Sequence, residues 1–449
     1  MRQRKTRALL GFYIFLLSAG LWSFGYSAGS SAAHLEAPGE PGAKARVRPG
    51  IEVFLAKHLA LVRGKKVGLL TNPSGVDGEL RSEVEILAHQ PGVNLVALFG
   101  PEHGHGGQAQ AGETISYYYD NRSRIPVFSL YGQNEKMPPG FLKNIDSYMR
   151  TYDATTAGKV PEGAMVRDIE VMIFDLQDVG TRVYTYLATM ALAMKSCAEA
   201  GVEFIVLDRP NPITGLILEG PVLEYPQFSS FLGLYPIPLR HGMTAGEVAR
   251  LYNDRFLEKK VMLTVIPMEG WRREMWYDQT GLPWVPPSPN IPTLDTATVY
   301  PGQVFLEGTN VSEGRGTTRP FEFFGAPWVD GYELAAALNG LALPGVRFRE
   351  AWFAPTFSKF QGERCRGAQL HVTDRARFRP FETALHILHA LRRLYPEQFQ
   401  FQEEYFDRIM GTDQVRKALL NGKPLADVLR GLKRGLEEFE DLRRPYLLY

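Results

Sequence analysis

IEVMIFDLQDVGTRVYTYLATMALAMKSCAEAGVEFIVLDRPNP, Ile169 to Pro212, contains a complete folding unit. IEVMIF is a short apolar run that ends in the polar loop DLQDVGTR. From about Val183 to Ala200 the apolar residues recur at helical spacing. EFIVL, Glu203 to Leu207, is a second apolar run, ending in DRPNP. Strands that are apolar on both sides, joined through a helix, predict a parallel sheet covered on both faces. With right-handed crossovers this becomes a doubly wound, Rossmann-like α/β layer.

The same pattern extends upstream. KVGLL (Lys66 to Leu70) ends in TNPSG, Asn94 to Phe99 ends in GPEHG, and Pro126 to Leu130 ends in YG. Glu79 to His89 has helical spacing between the first two. Ligands of such sheets bind beyond the carboxyl ends of the strands. Four polar loops therefore share one rim, and Pro73, Pro101, Pro210 and Pro212 stiffen them. They carry Asn72, Glu102, His103, Asp175, Asp178, Arg182, Asp208, Arg209 and Asn211.

A second dense region runs from Gly281 to Trp328, with few helix signals. It sets Trp284, Trp328 and several phenylalanines around Asn290, Glu307, Asn310, Glu313, Arg315 and Arg319. Aromatic faces mixed with amides, carboxylates and guanidinium groups suit a polyhydroxylated ligand, and equally a proline-rich structural loop. Further on, QLHV (Gln369 to Val372) reads as a strand, and Phe381 to Leu394 and Pro424 to Glu437 as helices. The expected organisation is a Rossmann-like catalytic domain over 51–290 and a smaller α+β domain over 291–449 that closes the cleft.

The chain has 449 residues and a formal net charge of +1. No global basic field argues for nucleic acid. MRQRKTR, a long apolar run from Ala8 to Tyr26 and the small residues SAGSSAA have the order of a secretory signal, placed at residues 1–29. The run is also long enough for an uncleaved single-span anchor. Either outcome exports the protein, to the periplasm or beyond. Residues 30–50, rich in Pro, Gly and Ala, read as a linker. Of the two cysteines, Cys197 shares a helical face with Leu187, Met190 and Met194, which favours a buried thiol over a disulfide.

Metal binding has one weak signal, the H-x-H of His103 and His105, with no second ligand motif beside it. No cofactor is expected. There is no G-x-S-x-G elbow, and nothing selects a pair of Ser74 or Ser288 with His103 or His241. That leaves acid/base chemistry by carboxylates. Glu102 follows a buried strand, where partial burial would keep a proton on a carboxyl for glycosidic cleavage. The alternative is a carboxylate capping backbone N–H groups in the turn. The second carboxylate stays open among Asp175, Asp178, Asp208, Glu307 and Glu313.

Taken together, GLLTNPSGVD, FGPEHGHGG, QAQAGE, FDLQDVGTRVYTY, LDRPNPITG, EGPVLE, PIPLRHGMTAGEVA, PPSPNIPTLDTATVYPG and FLEGTNVSEGRGTTRPFEFFGAPW resemble the exo-β-N-acetylmuramidase (NamZ-type) glycoside hydrolases, formerly a domain of unknown function. FDRIMGTDQVRKALLNG and RRPYLLY match as well, so the resemblance spans almost everything from residue 51. It implies a Rossmann-like domain, a smaller C-terminal domain and a cleft between them. It also implies release of N-acetylmuramic acid (MurNAc) from non-reducing ends of peptidoglycan fragments. The implied substrate is a MurNAc–GlcNAc saccharide; no partner protein is evident. The glutamate of PEHG, here Glu102, is the catalytic residue the resemblance implies. The lactyl carboxylate of the sugar calls for an arginine, with Arg315, Arg319 and Arg182 as candidates. Asn290, Glu307 and Asn310 are candidates for the hydroxyl and acetamido groups. The chain departs from the family pattern PEHGFRG at His105 and Gly106, and an aspartate often found next is Gln108. These departures keep a second reading open, a cell-wall sugar-binding protein with altered specificity or no catalysis.

Overall fold

A computed structural model describes residues 46–113, 118–131 and 169–449. The signal at 1–29, most of the linker and the polar segment from Met137 to Arg167 lie outside the described residues. The folded unit begins earlier than residue 51: Val47 is buried and Arg48 bridges to Glu269.

The main sheet is built from β1 (Lys66–Thr71), β2 (Asn94–Gly100), β3 (Tyr118–Tyr119), β4 (Pro126–Ser129), β5 (Val171–Asp175), β6 (Glu203–Leu207) and a later strand, β9 (Leu263–Ile266). A short antiparallel pair, β7 (Glu219–Val222) and β8 (Pro238–Arg240), lies between β6 and β9 in the chain. The order across the sheet is β3-β4-β2-β1-β5-β6-β9. All neighbours are parallel except the edge strand β3. Without β3, the strands run third, second, first, fourth, fifth, sixth. That is the doubly wound order, and its direction reverses between β1 and β5.

Alternation within the strands divides the core. Val67, Leu69, Leu98, Val171, Ile173, Ile205 and Leu207 face one way, with α1 (Gly50–Lys57) and α2 (Glu83–His89). Leu70, Phe99, Met172, Phe174, Phe204 and Val206 face the other way. There they meet α3 (Tyr186–Ala200) and α4 (Ala245–Arg255). Each such side chain contributes roughly 1.5–3 kcal/mol by leaving water. Helix α3 ends at Gly201, left-handed at φ 69°. Helix α4 opens with a complete capping box between Thr244 and Glu247. Cys197 and Cys365 are both buried.

The smaller part has a three-stranded antiparallel sheet of β10 (Phe323–Ala326), β11 (Val346–Phe353) and β12 (Cys365–Val372), in the order β10-β12-β11. Its helices are α5 (Leu294–Gln303), α6 (Gly331–Gly340), α7 (Pro380–Leu394), α8 (Glu403–Met410), α9 (Gln414–Leu420) and α10 (Leu425–Arg443). Helix α5 lies in the region with few helix signals and carries Pro301 inside it. Thr293 caps its start by accepting from the Thr296 N–H, and tertiary burial of Val299 and Tyr300 outweighs the proline. One apolar core runs from Phe174 and Tyr186 through Tyr300 and Phe305 to Phe381 and Phe406. Ala45–Tyr449 is accordingly one compact unit.

Candidate active site

Gly100 ends β2, and the chain doubles back at once. A Cβ at that position would collide with the backbone N of His105. Pro101 to Gly104 close a turn through Gly104 N–H to Pro101 O at 2.8 Å. Within it His103 adopts the left-handed region, φ 71°, which a bulky residue seldom occupies. Its Nδ1 is 2.8 Å from the Ala109 carbonyl oxygen, which anchors the ring on the returning chain. Burial pushes the His103 imidazole below its ordinary value, with Glu102 pulling partly back. The turn aims Glu102 into a cavity of about 420 Å³.

The cavity draws on both parts of the molecule. From the sheet come Glu102, His103 and Val183–Thr185, the approach to α3; from the smaller part come Tyr300, Glu307, Arg315, Phe321, Tyr405 and Arg408. Ser288 and Asn290 lie between them. The Thr185 hydroxyl donates to Glu102 Oε2 at 2.7 Å. On the facing wall Arg315 Nη2 donates to Glu307 Oε1 at 2.6 Å, and its Nε lies 3.3 Å from Glu313 Oε1. Tyr405 donates to Glu307 Oε2 at 2.9 Å. The Arg315 guanidinium sits 5.0 Å over the Phe321 ring. Burial opposes its charge, but Glu307 and Glu313 outweigh burial and hold its pKa above the ordinary value. Lys359 completes the row at 3.2 Å from Glu313 Oε2.

Five of the sequence candidates therefore meet in one place: Glu102, His103, Asn290, Glu307 and Arg315. Glu313 stands directly behind Arg315. The remaining candidates do not line this cavity. Asp175 forms a buried ion pair with Arg209, beside Glu83. Asp178 accepts from Gly180 N–H at 2.6 Å and lies 3.6 Å from His241 Nε2, both residues being buried. Asp208 accepts from Thr244, Gly246 and Tyr449 and is pushed up to about 7 by burial. Asn211 donates to the Met243 carbonyl oxygen at 2.9 Å. Arg182 donates to the carbonyls of Ile409 and Met410 at the end of α8, and burial lowers its pKa to about 10. Asn310 pairs with Gln398 and Gln400, and Arg319 with Glu322. Each of these groups has at least one protein partner.

Asn72 bonds Tyr186 and the Pro287 carbonyl, and also borders a second cavity of about 760 Å³. That cavity lies on the other side of the GPEHGHGG loop and is bordered by His105, Gly106, Tyr118, Asp120 and Arg122. Burial lowers the His105 imidazole. Among the described residues no group of three or more His, Cys, Asp or Glu is placed to hold a metal. Thr185, Tyr300 and Tyr405 were not anticipated from the sequence. The only signal for Thr185 was its place in VYTY, one residue before α3.

Family models match most of the folded part. The model described as exo-β-N-acetylmuramidase NamZ, N-terminal, matches residues 67–151 and 147–295, and its C-terminal counterpart matches 298–449. The chain belongs to the exo-β-N-acetylmuramidase family. It is thus an enzyme of the glycoside hydrolase class. The peptidoglycan β-N-acetylmuramidase NamZ of Bacillus subtilis (strain 168) is 45% identical over 437 residues, covering 97% of this chain and 99% of the relative. Two solved DUF1343 family proteins of Bacteroides fragilis share the fold. One is 38% identical with a TM-score of 0.79, the other 29% identical with a TM-score of 0.67. Each alignment covers 90% of this chain and 99% of the solved one. The exo-β-N-acetylmuramidase family thus joins the doubly wound sheet and the antiparallel sheet in one architecture.

Proposed function

We propose that the protein is an exported exo-acting glycoside hydrolase that removes MurNAc from the non-reducing end of peptidoglycan fragments during wall turnover. The observation that carries this is a carboxyl group, Glu102, presented in a cleft whose opposite wall holds an arginine. Glu102 is the general acid: its proton passes to the glycosidic oxygen as the C1–O bond breaks. Water supplies the oxygen that ends on C1. Arg315 takes the lactyl carboxylate through the part of its guanidinium that Glu307 and Glu313 leave free. Tyr405, Asn290 and Ser288 supply donors and acceptors for hydroxyl and acetamido groups, and Tyr300 and Phe321 supply apolar faces. The basic, apolar and small-residue order of the first thirty residues supports export to where such a substrate lies.

The test is product release from a MurNAc–GlcNAc disaccharide, from an aryl MurNAc β-glycoside and from its GlcNAc counterpart. Wild type releases sugar from both MurNAc substrates and not from the GlcNAc glycoside. Glu102→Gln, with unchanged melting temperature, leaves little release from the disaccharide. Disaccharide binding without release by the wild type would favour a sugar-binding protein. The departures at His105, Gly106 and Gln108 from the family pattern keep that second reading in view.

A further inference from the structure

Thr185 occupies the N-cap position of a helix of 15 residues, yet its side chain makes no capping bond. A threonine there ordinarily turns its oxygen onto the N–H groups of the first turn. Here the hydroxyl is directed outward and donates to Glu102 Oε2 at 2.7 Å. Thr185 is buried, and it is held between Tyr184 and Tyr186, whose ring centroids lie 4.6 Å apart. Tyr186 is anchored in turn by Asn72 and the Pro287 carbonyl, and Tyr184 packs edge-on against Tyr300. Branching at Cβ limits the rotamers open to the hydroxyl.

Glu102 Oε1 is in a different position. It has no hydrogen-bond partner among the described residues, and it is not one of the buried unpartnered atoms, so it is open to the cleft. We propose that Thr185 is the positioning residue of the acid: its hydroxyl fixes Oε2 as an acceptor, so the transferable proton resides on Oε1, facing the glycosidic oxygen. The inference rests on the reading of Glu102 as general acid. In the step itself Oε1 loses its proton to the glycosidic oxygen, and that oxygen keeps the electron pair of the broken C1–O bond. Thr185 keeps its own proton and now donates to a carboxylate. The bond therefore persists on both sides of the transfer and strengthens as charge develops on the acceptor.

The test uses two MurNAc β-glycosides, one with GlcNAc as the leaving group and one with 2,4-dinitrophenolate, which departs without a proton. Glu102→Gln fixes the signature of a lost acid: about 10³-fold slower on the disaccharide and nearly unchanged on the dinitrophenyl glycoside. Thr185→Val keeps the shape and removes the donor. It is expected to lower kcat on the disaccharide roughly 10- to 100-fold with KM unchanged, and to change the dinitrophenyl reaction less than about threefold. Thr185→Ser restores the rate to within a few fold. If Thr185→Val fails to fold, Thr185→Ala is read in the same way. Equal losses on both substrates, or no loss, would overturn the positioning role while Glu102→Gln still upholds the acid. A Glu102→Gln variant equally slow on both substrates would overturn the acid itself, and the role of Thr185 with it.

Discussion

Two carboxylate clusters stand at the same rim of the sheet. Glu102 leaves β2 into an open cleft with one oxygen held by Thr185 and the other unpartnered among the described residues. Asp175 leaves β5 into a sealed site, where Arg209 pairs with it and Glu83 packs against it. Burial, and then the neighbouring Asp175, push the Glu83 carboxyl well above its ordinary value. Thr71 bonds it from β1. The sealed cluster thus pairs Asp175 with Arg209 away from any cavity, whereas the open one has an oxygen left for a ligand. Polar residues at a strand end can act on a ligand only where they reach a cavity.

The largest effect expected from this contrast is on turnover. Glu102→Gln should lower kcat on the disaccharide about 10³-fold with an unchanged melting curve, because it removes a proton donor and no packing. Arg209→Met should do the reverse. It strands Asp175 beside Glu83 and should cost about 3–5 kcal/mol in denaturant unfolding, with kcat of the folded fraction retained. A loss of kcat without a loss of stability would place the sealed cluster in the chemistry and break the contrast.

Arg315→Lys keeps the charge but loses the planar fork that now serves Glu307 and Glu313. A rise in KM of about tenfold for MurNAc substrates is expected, from one charge-assisted bond. An unchanged KM would remove Arg315 from carboxylate recognition. The smallest effect concerns His103, whose folded pKa lies below its unfolded one because it is buried. The neutral ring is favoured in the folded state, so its stabilising contribution is full above the unfolded value, about 6.5. It fades as pH falls from there through the lower folded value. His103→Asn keeps a residue that tolerates the left-handed backbone. It should flatten the acid-side decline of the melting temperature, and an unchanged slope would refute the assignment.

Much of the sheet was legible in the sequence, because its buried strands are continuous apolar runs ended by Gly and Pro. The antiparallel sheet was less so: QLHV marked only the end of β12, and β11 places exposed Arg347, Arg349 and Trp352 among its buried residues. Helix α5 was hidden by Pro301, and α8 by a charged sequence, EEYFDRIM, whose buried face is only Phe406, Ile409 and Met410 together with Asp407. The site was legible in part for a related reason. Pattern places Asp175, Asp178, Asp208 and Arg209 at the rim, but whether a side chain turns to the cleft or to a neighbour is decided by packing. Tyr405 reaches the cleft from a helix far along the chain, and no local spacing encodes that meeting.

The reversal of strand order between β1 and β5 is where folds of this kind ordinarily receive a small molecule. In this protein the chain ends a strand there with Asp175 and brings Arg209 to it from the loop after β6. The guanidinium behaves as a tethered ligand. It is held at an effective concentration no free solute would match, and it cannot be washed out or competed away. The crevice has become part of the frame, and the proposed site of recognition lies to one side, at the end of β2, where α5, α8 and the segment carrying Arg315 supply the opposite wall.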